Sequence, residues 1–173
     1  MKSAMRFGAP MLAVGLLAVA WSATASPAAA TVREEYQLLA RSLLEDGRVA
    51  LSEERFADAR SVLQQALVAN PKAPQAFLLL GRLALKEGDG AEGHRLIAIA
   101  LELAPKAQEV LLWAGKAALA MDDKEEAETH LAQLQGLCAA CEMTQELAEA
   151  VAAYDGPDAP RAPPAPNEAA EGP

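Results

Sequence analysis

Aromatic side chains make up only 4% of the 173 residues, and the chain has two cysteines and two histidines. So few Cys and His exclude a disulfide-dense scaffold and the usual zinc modules, which leaves a hydrophobic core to hold the fold. Bases are also in short supply, 15 Lys and Arg against 24 Asp and Glu, for a net charge of −9. This balance removes the general attraction that nucleic acid or anionic lipid needs. A Gly-rich phosphate loop and a nucleophile elbow are both missing, so no catalytic residue, metal site or cofactor is expected. What is present is 52% hydrophobic and 23% charged residues, the proportions of one modest globular domain rather than a collagen-like or wholly disordered chain.

The two ends read differently from the middle. Lys2 and Arg6 precede the apolar run Met11 to Ala20, and Ala23-Thr24-Ala25 follows as a small-x-small site. That order is a secretory signal peptide, so residues 1–30 are read as a leader cleaved after Ala25 or, alternatively, after Ala30. Ser22, Thr24, Ser26 and Pro27 keep the hydrophobic stretch shorter than the ~20 residues of a spanning helix, which argues against an uncleaved anchor. The leader has a bacterial character, and the expected destination is the periplasm with no stable membrane insertion after cleavage. Removing residues 1–25 leaves 13 bases against 24 acids, or −11. At the other end, residues 155–173 hold six prolines in nineteen positions and almost no large apolar side chain, so they are read as a disordered acidic tail. The folded domain is then 31–154.

A period of 34 residues organises that domain. Gly47, Gly81 and Gly115 are 34 apart, as are Ala50, Ala84 and Ala118, and Pro71 and Pro105 keep the step within a repeated Pro-Lys-Ala. Leu43, Gly47 and Ala50 share one helical stripe, and Phe77, Leu80, Gly81 and Ala84 share its counterpart. A second helix follows in each unit, with expected buried stripes Phe56, Ala59, Leu63, Ala66, then Gly93, Ile97, Ala100, Leu103, then Ala127, Leu131, Leu134. Helices are expected at about 32–52, 54–69, 73–87, 89–103, 107–121 and 123–136. A seventh, carrying Met143, Leu147, Ala150, Val151 and Tyr154 on one face, is expected to cap the stack.

Over residues 40–141 this pattern resembles the tetratricopeptide repeat, best in Phe77-x-x-Leu80-Gly81 with Gly93, Ile97, Ala100 and Pro105. Asp46 stands where the family prefers Leu, Ala50, Ala84 and Ala118 replace a bulky aromatic, and Ala139 replaces the third closing proline. The resemblance implies an all-α, right-handed superhelix of about three helix-turn-helix repeats plus a C-terminal capping helix.

Beside the core stripe, each first helix carries a second one: Leu44, Arg48, Leu51, then Leu78, Arg82, Leu85, then Leu112, Lys116, Leu119. In the family the first helices line the concave surface. The resemblance therefore implies a peptide-binding groove built from these Leu residues, with Arg48, Arg82 and Lys116 as one base per repeat, supplemented by Arg41, Lys86 and Trp113. The alternative is that the Leu residues pack first helix on first helix while the bases stay solvated. On the groove reading, reversing the three bases together to Glu is expected to leave helicity and melting nearly unchanged while partner binding falls sharply. The family's clamp for a C-terminal carboxylate uses Lys and Asn on these helices, and with no matching Asn that ligand class is not carried over.

Cys138 and Cys141 form Cys-Ala-Ala-Cys between the sixth helix and the cap. In an oxidising compartment they are expected to form a structural disulfide, worth about 2 kcal/mol for so small a loop. A redox dithiol is the alternative, favoured by a position at a helix start. Haem attachment is excluded because Glu142 occupies the place of the required His. His94 and His130 are expected to be solvated. The function expected is a non-catalytic periplasmic adaptor or scaffold that binds a protein or peptide segment in its groove. A thiol-disulfide partner in envelope protein maturation using Cys138 and Cys141 is the alternative, and a structural subunit whose groove is filled by a neighbour or its own tail is a third reading.

Overall fold

A computed structural model describes residues 27–156; residues 1–26 of the expected leader (1–30) and residues 157–173 of the expected tail (155–173) lie outside the described residues. The described chain is seven helices with no strand: α1 (Pro27–Ser52), α2 (Phe56–Ala69), α3 (Pro74–Lys86), α4 (Gly90–Leu103), α5 (Gln108–Ala120), α6 (Lys124–Leu137) and α7 (Glu142–Ala152). They form three hairpins, α1/α2, α3/α4 and α5/α6, stacked side by side, with α7 laid against α5 and α6. Among the described residues no helix is long and apolar enough to cross a membrane. α1 starts earlier than the periodicity suggested, at Pro27, a residue whose fixed φ suits the first helical position. Cleavage after Ala25 would leave α1 whole, whereas cleavage after Ala30 would remove its first four residues.

Helix approach within each hairpin explains the glycine period. A Cβ placed on Gly47 would lie 2.5 Å from Leu63 Cδ2, and one on Gly81 would lie 2.5 Å from Ile97 Cγ1 and 3.0 Å from the Gly93 carbonyl oxygen. Neither position has room for a methyl group. The next small residues, Ala50, Ala84 and Ala118, are buried at 2%, 1% and 0% exposure, and the family's usual aromatic would not fit there. Their carbonyls accept the backbone N–H of Arg55, Asp89 and Asp123, each at 2.9 Å, closing the same turn three times. The residue before each donor is left-handed: Glu54 at φ 59°, Gly88 at 83° and Asp122 at 63°. Only glycine adopts that conformation without a Cβ penalty, so Gly88 makes the least strained of the three turns. Asp89 and Asp123 then cap α4 and α6, accepting from the backbone N–H of Glu92 and Glu126 at 3.0 and 2.8 Å.

The turns between hairpins also repeat. Ala73 N–H donates to the Asn70 carbonyl and Ala107 N–H to that of Ala104, around Pro71 and Pro105. Cys138 and Cys141 occupy the equivalent pair of positions after α6, where Ala139 replaces the proline, and a disulfide joins them with Cα atoms 5.5 Å apart. Thr144 Oγ1 adds a 2.6 Å hydrogen bond to the Cys138 carbonyl. A covalent link thus holds the one turn of the set that lacks proline. Beyond it, Leu147 and Val151 of α7 are buried, and Leu147 Cδ1 stands 2.6 Å from where a Gly115 Cβ would be.

Two expected positions differ. Leu103 is 39% exposed, because at 100° per residue it falls about 80° from Gly93, off the stripe that Ile97 and Ala100 continue. His130 is buried rather than solvated, at 7% exposure, because it stands one period after Leu96, itself buried to the same degree.

The packing argument makes a paired prediction. Gly81→Ala should lower stability by about 1 to 3 kcal/mol through overpacking against Ile97. Gly136→Ala, on α6 with nothing within 4 Å of the added methyl, should raise it by up to about 1 kcal/mol from helix propensity. Thermal or urea unfolding of the two variants measures both, and equal shifts of the same sign would contradict the close-approach argument.

Candidate functional site

The bases expected to stand free on the first helices are each met by a carboxylate. Arg82 Nη1 donates to Glu109 Oε1 at 3.0 Å, and Arg48 Nη1 reaches the same oxygen at 3.9 Å. Arg48 also lies 3.9 Å from Glu45. Lys116 Nζ pairs with Glu146 of α7. Trp113 joins the two halves: the Arg82 guanidinium is 4.5 Å and the Lys116 ammonium 4.7 Å from its ring centroid. The result is one ladder running across α1, α3, α5 and α7.

Neighbouring first helices pack side by side, so a position repeated at 34 lands beside itself one helix further on. Glu109 sits one period after Gln75 and Lys116 one period after Arg82, which threads an acid between bases. Arg82 is the most enclosed member, its side chain 23% exposed and its Nε buried without a partner. Burial pushes its guanidinium pKa down from the usual value, Glu109 opposes that, and the Arg48 charge adds to it. The alternative reading in which the bases stay solvated is therefore corrected: these cations are engaged with the protein itself.

The Leu residues of the same stripe are mostly taken by packing. Leu78 and Leu112 are buried, at 1% and 4% exposure. Leu85 Cδ2 lies 2.7 Å from a Cβ position on Gly93, so it serves the α3/α4 interface, and Leu119 packs into the third hairpin's core. Leu51 is buried in a core cluster that α1, α2, α3 and α4 share. The concave face is consequently more polar than an open apolar groove. Of the expected apolar lining, Leu44, Leu85, Trp113 and Leu119 are half-buried.

One cavity of about 290 Å³ opens beside Leu44, between α1 and the turn into α3. Pro74 shares its apolar lining, and Gln37, Arg41, Asn70 and Gln75 supply its polar lining. Arg41 makes no ion pair among the described residues, and neither does Lys86.

The histidines meet at one carboxylate. His94 Nε2 is 3.1 Å from Glu126 Oε2 and His130 Nε2 is 3.6 Å from Glu126 Oε1, which ties α4 to α6. His130 Nδ1 is buried without a partner. Among the described residues no group of three His, Cys, Asp or Glu side chains is arranged to hold a metal ion.

Because Glu109 serves two cations, Glu109→Gln should cost about 1 to 2 kcal/mol, more than an exposed ion pair, by leaving the half-buried Arg82 uncompensated. Adding Arg48→Gln should recover part of that loss by removing a neighbouring positive charge. Urea unfolding of the single and double variants measures it. A loss no greater than that of Glu45→Gln would show that the ladder contributes no more than a surface pair.

A family model described as tetratricopeptide repeat matches residues 44–93 and 78–140, more than half of the chain. No curated protein sequence matches it. The TPR domain of Arabidopsis OM64 is similar in fold, with TM-score 0.61, 13% identity, and coverage of 68% of this chain and 97% of that one. The first TPR of Spaghetti (RPAP3), bound to the HSP90 peptide SRMEEVD, gives 0.59 at 17% identity, covering 67% of this chain and 95% of that one. The Yersinia enterocolitica type III secretion chaperone SycD, in complex with a peptide of the translocator YopD, gives 0.56 at 21% identity, covering 66% and 87%. With the repeated helices, the shared turn geometry and the family match all falling on the same residues, the chain belongs to the tetratricopeptide repeat family.

Proposed function

We propose that this protein is a non-catalytic adaptor of the bacterial periplasm that holds a segment of a partner protein across its concave face. The observation that carries the reading is the ladder on α1, α3, α5 and α7. A line of alternating charge around Trp113, with a separate cavity beside Leu44 between α1 and the turn into α3, offers a segment hydrogen-bonding groups and an aromatic surface at fixed spacing. The repeat family and the two peptide-bound folds named above support a binding role. Since Arg48, Arg82 and Lys116 already have carboxylate partners, an acidic segment must exchange with Glu109 and Glu146 rather than fill vacant sites. Binding of this kind is weak per contact and salt-sensitive.

Location in the periplasm is supported by the order Lys2 and Arg6, Met11 to Ala20, and Ala23-Thr24-Ala25, and a Cys138–Cys141 disulfide suits an oxidising compartment. The disulfide's place in a turn that elsewhere uses proline favours a structural role over thiol exchange.

The partner reading is tested by photo-cross-linking in cells. A cross-linking side chain at Glu45 or Lys86, on the concave face, should give discrete adducts that Gln64 and Glu128 on second helices do not. Adducts should persist in a folded Cys138→Ser/Cys141→Ser variant. Their loss from that variant with helicity intact would favour the thiol reading, and adducts independent of face would reject the groove. For location, the N-terminus of the exported protein should be Ser26 or Thr31 by protein sequencing, whereas intact Met1 in the membrane fraction would establish an anchor.

A further inference from the structure

We infer that the cavity between α1 and the turn into α3 is a subsite for an acidic side chain of the bound segment, with Arg41 as its counter-ion. The inference rests on the groove reading above and specifies one contact within it.

The 34-residue period provides an internal comparison. At the junction of α3 and α5 the residue pair is Gln75 and Glu109, and the Glu109 carboxylate is held by Arg82 at 3.0 Å with Arg48 at 3.9 Å. One period earlier, at the junction of α1 and α3, the equivalent pair is Arg41 and Gln75. There the fold supplies a cation and a neutral amide but no carboxylate of its own. Arg41 has no ion-pair partner among the described residues, and it lines a cavity of about 290 Å³.

The rest of the lining fits the same ligand. Asn70 replaces the Ala104 and Cys138 of the later turns, and its Oδ1 accepts the Lys72 N–H at 3.2 Å. With the oxygen engaged, the amide nitrogen is the group left to donate. Gln37 and Gln75 add two more side-chain amides, while Leu44 and Pro74 give an apolar wall for the stem of the side chain or an adjacent residue. One guanidinium among neutral amides matches a single negative charge. A doubly charged phosphate would lack a second cation within this lining. The ligand is therefore a Glu or Asp within an otherwise apolar stretch of the partner.

The test uses amide NMR of the ¹⁵N-labelled protein at low salt, with acetyl-Leu-Glu-Leu-amide as probe. Saturable shifts should appear at the side-chain amides of Gln37, Asn70 and Gln75 and at the Arg41 guanidinium. Acetyl-Leu-Gln-Leu-amide should bind about three- to five-fold more weakly, the factor one exposed ion pair supplies. Arg41→Gln should abolish the difference between the two probes, whereas Lys116→Gln should leave it. Equal affinity for both probes, or shifts centred on the Trp113 indole, would overturn the subsite. So would tighter binding of acetyl-Leu-Gln-Leu with a free C-terminal carboxylate than of the Glu probe. If the probe binds only after Glu168→Gln and Glu171→Gln, the occupant is the chain's own tail. If the spectrum depends on protein concentration alone, it is a second copy. Either result also overturns the inference. Groove-specific cross-links together with a failed probe would reject the subsite alone; a bound probe without such cross-links would reject the adaptor reading instead.

Discussion

The close approach of paired helices is the constraint from which the remaining structure follows. Gly47, Gly81 and Gly93 leave no room for a methyl group, so Leu63, Ile97 and Leu85 can each reach the opposing backbone. Such contact places many atoms at van der Waals distance and brings the small residues Ala59, Ala66 and Ala100 to full burial. Large side chains at those stripes would push the hairpins apart. With them apart, the carbonyls of Ala50, Ala84 and Ala118 could not close the same turn onto the next helix, and the stacking angle would no longer repeat.

Repetition then governs the surface as well as the core. A position repeated at 34 becomes a row across α1, α3 and α5, so three bases at Arg48, Arg82 and Lys116 form a line of like charge. Left alone, that line would repel itself and leave Arg82 half-buried without compensation. Glu109 and Glu146 break the row by departing from it: they stand where the neighbouring units have Gln75 and Leu112, respectively. The bases belong to the repeat and the acids to its exceptions. What distinguishes one unit's face from the next therefore lies in the non-repeating positions, with Trp113 and Arg41 among them.

Most of the architecture was legible because it is periodic. The three glycines, the alternate helices and the cap could be read from spacing, and observed helix boundaries other than the start of α1 lie within two residues of those expected. The state of the groove was not legible. Arg82 meets an acid 27 residues away and Lys116 one 30 residues away, separations that no 34-residue comparison reveals. Burial of Leu78 and Leu112 depends on how closely adjacent first helices pack, which side-chain identity alone leaves open. His130 was a different kind of miss, since comparison with Leu96 one period earlier would have marked it as buried.

The two ends of the concave face are consequently unlike. At the α7 end, one helix supplies both an apolar and an electrostatic closure: Leu147 fills the space over Gly115, and Glu146, one residue before it, neutralises Lys116. The Cys138–Cys141 link fixes the turn from which α7 starts, so both contacts depend on a covalently held junction. At the α1 end no preceding helix is present among the described residues, Arg41 keeps its charge uncompensated, and the cavity beside Leu44 is open. A segment laid along the face would find its fixed charges already matched on α5 and α7 and an unmatched cation on α1. On the proposed groove reading, that asymmetry would give the face a direction, the end of a bound segment that carries the acid lying at α1, although the helices that build the face repeat.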